Sequence, residues 1–306
     1  MSSPLVSIIS PCFNGERYID RFLESVLSQD YESIELIVID DGSTDKTLCK
    51  LYSYKDRFEE KGYRYKVLVQ DNQGQSSAIN KALPFVKGQF LTWPDSDDVL
   101  TKSSISRKVS YLGKNNDVNI VRSDVEFIDE DHSHLYYASD RYHFRTKNIF
   151  EDLIFENDVY FCPGGYMIRM SCFDCVFSNR NIIESRAGQN WQMLLPICLN
   201  NICGYIDEVT YRYVVRRGSH SRSSSTYLEK KSKFEKHQSL LIDVVNMLGI
   251  SGYISPIKHK YQMKFIYLAC EYNKFYEAIV IVKNNISLIS IFTFLKAILN
   301  RYRNKS

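Results

Sequence analysis

The chain has 306 residues, 44% hydrophobic and 25% charged, with a formal net charge of +3. Length and composition are those of a globular protein able to bury a real core in one large or two modest domains, and so small a charge gives no ground for a nucleic-acid partner. Eight cysteines without paired metal-ligand spacing (Cys172-Phe-Asp-Cys175 is a lone CxxC) argue against a zinc site and read as buried free thiols of a reducing cytoplasm.

Met1-Ser-Ser-Pro4 lacks the basic start of a secretion signal, and the short β-branched run Leu5–Ser10, ended by Pro11, predicts a buried strand. After a turn at Asn14-Gly15, apolar residues recur at Tyr18, Ile19, Phe22, Leu23, Val26 and Leu27 with helical spacing. Ile34–Ile39 predicts a second strand running into Asp40-Asp-Gly-Ser-Thr-Asp45, with a helix from near Thr44. Tyr65–Val69 predicts a third strand leading to Asp71-Asn-Gln-Gly-Gln75 and a helix from Ser76 to Phe85, and Gln89–Trp93 a fourth. Alternating strand and helix is the pattern of a parallel sheet covered on both faces. Ligands bind outside the carboxyl ends of such strands, where Pro11–Asn14, Asp40-Asp41, Asn72–Gly74 and Asp95–Asp98 converge.

The last of these loops carries Asp95, Asp97 and Asp98 within four positions. Clustered carboxylates repel one another unless a cation neutralises them, and oxygen-only ligands suit Mg²⁺ or Mn²⁺ holding a diphosphate. Asp and Ser also cap helices; convergence of four polar loops on one rim favours the metal reading.

Beyond Asp98 the pattern predicts a helix over 102–112, strands near Ile120, at 125–128 and 165–169, a helix over 189–200, and strands at 204–206 and 210–215. The basic, Ser-rich stretch 216–225 marks a domain change, so residues 1–225 form the α/β domain and 226–306 a helical C-terminal region. There, Phe234, Leu240, Leu241, Val244, Val245 and Leu248 form one helix face, followed by helices near 257–272 and 275–283. The longest apolar stretch, 286–298, is broken by Ser287, Ser290, Thr293 and Lys296 and falls short of the ~20 apolar residues of a membrane span. A cytoplasmic location is expected. The tail 287–306 joins apolar residues to Lys296, Arg301, Arg303 and Lys305, either to lie on an anionic inner membrane face or to pack on the domain or on another subunit of a homo-oligomer.

Val6–Asn14 with Tyr18-Ile19, Glu35–Asp45, Asn72-Gln-Gly74 and Asp95-Ser-Asp-Asp98, in this order, resemble family 2 glycosyltransferases of GT-A fold. The resemblance covers about the first hundred residues and thins past 120. It implies a Rossmann-like, mostly parallel α/β sheet with a nucleotide-sugar half (1–100) and an acceptor half (101–225), and transfer of a sugar, with inversion, from a UDP-type donor to a glycan, such as a lipid-linked surface-polysaccharide precursor. Carried over by position, Pro11, Phe13 (commonly Tyr in the family) and Glu16 border the nucleoside, and Asp41, preferred to Asp40, accepts from the base. Asn72 and Gly74 line the donor loop, Asp95 meets ribose and metal, and Asp97 ligates Mn²⁺ or Mg²⁺. The family often has Arg where this chain has Ile79, which weakens phosphate contact from that helix. His220, in a basic loop the family often closes over its donor, either completes the metal shell or is structural, while Arg216, Arg217 or Arg222 neutralises phosphate.

The departure is at the general base. Where the family usually has carboxylates, this chain has Gln189-Asn190, and neither amide takes a proton at neutral pH. Either Glu184 or Asp98 is the base, with Gln189, Asn190 and Trp191 orienting the acceptor, or the chain is a nucleotide-sugar-binding partner subunit without catalysis of its own. Trp191 also reads as core.

Overall fold

In the computed structural model, which describes residues 3–142, 147–187, 190–216, 226–284 and 288–303, the expected GT-A-type sheet is present. β1 (Val6–Cys12) leads through α1 (Ile19–Leu27) to β2 (Ile34–Asp40), and both strands are buried at every position, as strands covered on two faces must be. α1 turns Ile19, Phe22, Leu23 and Val26 inward, a three-and-four spacing that makes one apolar face. The following helical segment breaks into α2 (Thr47–Ser53) and α3 (Lys55–Glu60) before β3 (Arg64–Val69), α4 (Gln75–Ala82) and β4 (Phe90–Thr92). β1 lies between β2 and β4, with β3 outside β2, all in parallel. β1 runs through Pro11 instead of stopping before it: β4 pairs only with Val6–Ile8, so the missing Pro11 N–H breaks no ladder bond on that side.

The second half is mixed. β5 (Val99–Leu100) and α5 (Ser104–Lys114) precede β6 (Ile120–Asp129), which pairs with β7 (His134–Tyr137). α6 (Phe150–Phe155), β8 (Tyr166–Arg169), α7 (Met170–Val176), α8 (Asn190–Cys198) and β9 (Cys203–Val215) complete it. The sheet order is β3-β2-β1-β4-β8-β6-β9-β5, with β8 antiparallel to β4 and β6, and β9 parallel to β6 but antiparallel to β5. The two short strands expected on either side of 207–209 are one strand, because register shifts opposite Ser123–Val125 absorb the irregularity.

Residues 1–216 and 217–306 form two compact units. The second comprises α9 (Tyr227–Met247), α10 (Ile254–Glu271), α11 (Phe275–Asn284) and α12 (Leu288–Arg303). α9 opens on a capping box in which Thr226 Oγ1 accepts from the Glu229 N–H and Glu229 Oε2 from the Thr226 N–H. Among the described residues no helix is long and apolar enough to cross a membrane. All eight cysteines are free, and Cys49 and Cys175 are exposed rather than buried.

Candidate active site

The loops at the strand ends are tied to one another before any ligand is considered. Asn14, in the left-handed region at φ 49°, accepts from the Thr44 N–H at 2.8 Å and donates its own N–H to Ser43 Oγ. The Gly15 N–H reaches Thr47 Oγ1 at 2.8 Å, and the Glu16 N–H reaches Asp45. Glu16 itself turns toward this loop, accepting from the Lys46 N–H at 3.2 Å and bracing the β2 turn at the same rim. Asp41 accepts from Gln70 Nε2, the Gln73 N–H and the Gly74 N–H at 2.8–2.9 Å, which takes three of a carboxylate's roughly four acceptor directions and leaves one. The turn needs glycine at 42, where φ is +75° and a Cβ would stand 2.8 Å from the Asn72 nitrogen. Asp40, one residue earlier and buried, has Oδ1 without a partner among the described residues. Phe13 is exposed at the same rim, and Pro11 is buried in the sheet. Burial pushes the neighbouring Cys12 thiol up to about 12, so it supplies no thiolate.

Asp95, Asp97 and Asp98 come together as expected, with ligand oxygens within 4.8 Å of one another. Their environments differ sharply. Asp98 is buried; it accepts from the Tyr211 hydroxyl at 2.6 Å and from the Val214 N–H at 2.7 Å. Burial, then the charges of Asp97 and Asp95, hold its carboxyl well above the usual carboxylate range. With a hydrogen bond on each oxygen, Asp98 pins β9 to the acidic loop. Tyr211 extends the tie, since its hydroxyl oxygen accepts from the Asp95 N–H at 3.2 Å. Asp95 and Asp97 are part-exposed, and Gln75 Nε2 approaches Asp95 at 3.4 Å.

Two arginines meet Asp97. Arg216, the residue after β9, forms an ion pair with its carboxylate, and Arg21 of α1 donates to its carbonyl. The Arg216 guanidinium lies over the Tyr18 ring at 4.4 Å from its centroid. The Nε–H groups of Arg21 and Arg216 are both buried without partners among the described residues. Carboxylate oxygens of the kind that coordinate hard cations, next to unsatisfied guanidinium donors, fit a divalent ion together with an anionic ligand.

The segment before α8 is docked on α4. Asn80 exchanges hydrogen bonds with Ile182 (2.8 and 3.0 Å), and Ser76 Oγ donates to the Ser185 carbonyl while accepting its N–H. Glu184 is exposed here, 3.3 Å from Asn80 Nδ2, and Arg186 donates to the Asn72 carbonyl at 2.9 Å beside Gly74. Trp191 packs inward, the core alternative of its two expected roles: its indole N–H donates to the Leu153 carbonyl at 3.0 Å and its ring meets Phe161 edge-on. Asn190 Oδ1 is buried without a partner among the described residues. Gln189 and His220 lie outside the described residues. Arg21, Arg186 and Tyr211 escaped the sequence reading. Arg21 has a signal, a cation on the otherwise inward-spaced first helix, but Tyr211 in a strand of alternating aromatics has none.

The family model described as glycosyl transferase family 2 matches residues 7–177. Among curated relatives, an uncharacterized glycosyltransferase of Rickettsia typhi is 39% identical over 138 residues, 44% of this chain but only 41% of the relative. Glycosyltransferase GlyG of Streptococcus pneumoniae is 26% identical over 234 residues, 72% of this chain and 74% of the relative. The fold is similar to that of S. aureus TarS residues 1–349 with UDP-GlcNAc (TM-score 0.58, 18% identity, 96% of this chain and 79% of that one). It is also similar to the mannosyltransferase PcManGT of Pyrobaculum calidifontis with GDP-Man and Mn²⁺ (TM-score 0.62, 14% identity, 96% and 79%).

Proposed function

The chain belongs to glycosyl transferase family 2, and on that premise we propose that it moves a sugar from a uridine nucleotide donor to a glycan acceptor with inversion at the anomeric carbon. The observation that carries the reading is the meeting of Asp95 and Asp97 with the unsatisfied guanidinium donors of Arg21 and Arg216. Asp97 and Asp95 would hold Mn²⁺ or Mg²⁺, which when bound balances the charge developing on the leaving diphosphate. Arg21 and Arg216 face the same anion from the protein side. The exposed Phe13 ring offers a stacking face to the base, and Asp41 keeps one acceptor direction for its N–H. The UDP-GlcNAc and GDP-Man of the two similar structures support a nucleotide-sugar donor.

In the transfer, the acceptor hydroxyl oxygen forms the new bond to the anomeric carbon as the bond from that carbon to the diphosphate oxygen breaks, its electron pair leaving with the nucleotide. The hydroxyl proton goes to a base, and exposure with a single weak hydrogen bond favours Glu184 over the enclosed Asp98. Asp98 instead sets the end of β9, and so Arg216, against Asp97. Asn190, at the start of α8, would contribute its unpartnered side-chain oxygen to the acceptor only if the sugar displaces the groups that now cover it. A lipid-linked surface-polysaccharide precursor is the acceptor class, supported by the apolar, basic helix at the tail.

The test is UDP release from UDP-sugars in Mn²⁺ with lipid-extract acceptors. Turnover lost in Asp97→Ala supports the enzyme. Donor binding without release under any acceptor would instead identify a nucleotide-sugar-binding partner subunit, the reading that Gln189-Asn190 raises.

A further inference from the structure

The last two helices carry more large apolar residues than their packed faces take up: Phe275, Ile281, Val282, Phe294 and Ile298 pack on the helical core, and others stay outside it. On α12 the small polar residues Ser290 and Thr293 are buried with Ala297, whereas Ile289 is 60%, Phe292 69% and Leu295 52% exposed. α11, packed beside it, exposes Tyr276 (81%), Ile279, Val280 and Lys283 at positions one helical stripe apart. Scattered exposed apolar residues are ordinary; contiguous stripes of large ones, with hydroxyls turned inward, signal an apolar partner outside the chain.

Charge says which partner. Residues 217–306 hold fifteen Lys and Arg against five Asp and Glu, a formal +10, leaving residues 1–216 with 24 against 31, a formal −7. A second copy of the same face would bring together two units that each carry a formal +10, with Lys283 and Lys296 on the joined faces. Nucleic acid would accept the charge but leave Phe292, Leu295 and Tyr276 in water. Only an anionic bilayer surface takes both, with apolar side chains in the acyl boundary and lysines at the headgroups. We propose that the exposed stripes of α12 and α11, with Lys296 and Lys283 beside them, form an in-plane docking face for anionic lipid. The sixteen residues of α12 make it about 24 Å long, suited to lie along a bilayer. This rests on the membrane-acceptor part of the proposed function and adds a second helix, Ile279 and Tyr276 included, to the tail.

The test is co-sedimentation of the full chain with vesicles of phosphatidylcholine alone and with about a third phosphatidylglycerol, lipid content being chosen to populate an anionic surface. Three proteins are compared: the unaltered chain, Phe292→Ser/Leu295→Ser, and Lys283→Glu/Lys296→Glu. All four positions are exposed, so thermal unfolding should be unchanged. The expected results are binding to the anionic vesicles alone, weakened by salt, and a loss of at least tenfold in each variant. Equal binding by all three proteins, or none by the unaltered chain, overturns the proposal. A concentration-dependent dimer in light scattering that the serine variant abolishes also overturns it, giving the face to a second copy. Calorimetric UDP binding without vesicles separates the readings: an unaltered chain that binds UDP but no anionic vesicle sinks this inference alone, and one that binds anionic vesicles but no UDP sinks the catalytic reading alone.

Discussion

Arg216→Ala should move two binding constants in opposite directions. In the folded protein this guanidinium is the counter-ion of Asp97, three-quarters buried and stacked on Tyr18. A dication placed on the same carboxylate would stand roughly 4–5 Å from it, where each unit-charge pair interacts by about 4 kcal/mol at an effective dielectric of ~20. Most of that repulsion is relieved if the arginine swings to solvent or to a phosphate, and a residue of about 1–2 kcal/mol is reasonable for a part-buried site. Removing the side chain should therefore tighten Mn²⁺ binding in the absence of nucleotide by about five- to thirtyfold. The nucleotide sees the opposite: losing a charge-assisted hydrogen bond of about 1.5–3 kcal/mol should weaken UDP binding in saturating Mn²⁺ by about ten- to a hundredfold. Isothermal titration of Mn²⁺ alone, and of UDP with Mn²⁺ present, reads both numbers. Arg216→Lys, which keeps the charge but not the planar fork, should restore the metal constant more than the nucleotide one. If both constants weaken together in Arg216→Ala, the arginine merely holds Asp97 in place; if neither moves, the guanidinium takes no part in the site.

Glu184→Gln should lower kcat by at least a hundredfold with little change in the donor KM, the signature of a lost proton acceptor; unchanged turnover would remove Glu184 from the mechanism. Gly164→Ala should destabilise the fold by about 1–3 kcal/mol and weaken Mn²⁺ binding, because a Cβ there collides with the Tyr211 ring that carries the Asp98 and Asp95 bonds; an unchanged urea midpoint would refute it. Lys108 is buried on α5, donates to the Gly164 carbonyl at 2.7 Å and to Ser104 Oγ, and burial lowers its pKa from 10.5 to about 7. The unfolded chain then binds the extra proton between those values, so this group makes stability rise as pH climbs from about 7 toward 10.5, by up to about 1.4 kcal/mol per pH unit. Urea midpoints from pH 7 to 9 should rise for the unaltered protein and lie flatter in Lys108→Met; an equal slope in both would place the titration elsewhere.

What could be read in the sequence follows the distance over which each feature is decided. β1, β2 and α1 announce themselves because full burial demands unbroken β-branched runs and a three-and-four apolar spacing, both local properties. The convergence of Asp95, Asp97 and Asp98 is local too. The choice between the adjacent Asp40 and Asp41 is not, since it depends on a turn through Gly42 bringing Gln73 and Gly74 onto Asp41, some thirty residues later. Trp191 is settled by Leu153 and Phe161, on segments whose pairing with α8 no periodicity announces. Asp98 marks the boundary most clearly. As a carboxylate at a strand end it has every local property of a base, yet Tyr211 and Val214, more than a hundred residues on, enclose it. That enclosure is what carries the end of β9, with Arg216, to Asp97. A carboxyl committed to joining the two halves of the site cannot also move freely between protonated and ionised forms during a catalytic cycle, since each protonation would loosen the strand that delivers the arginine.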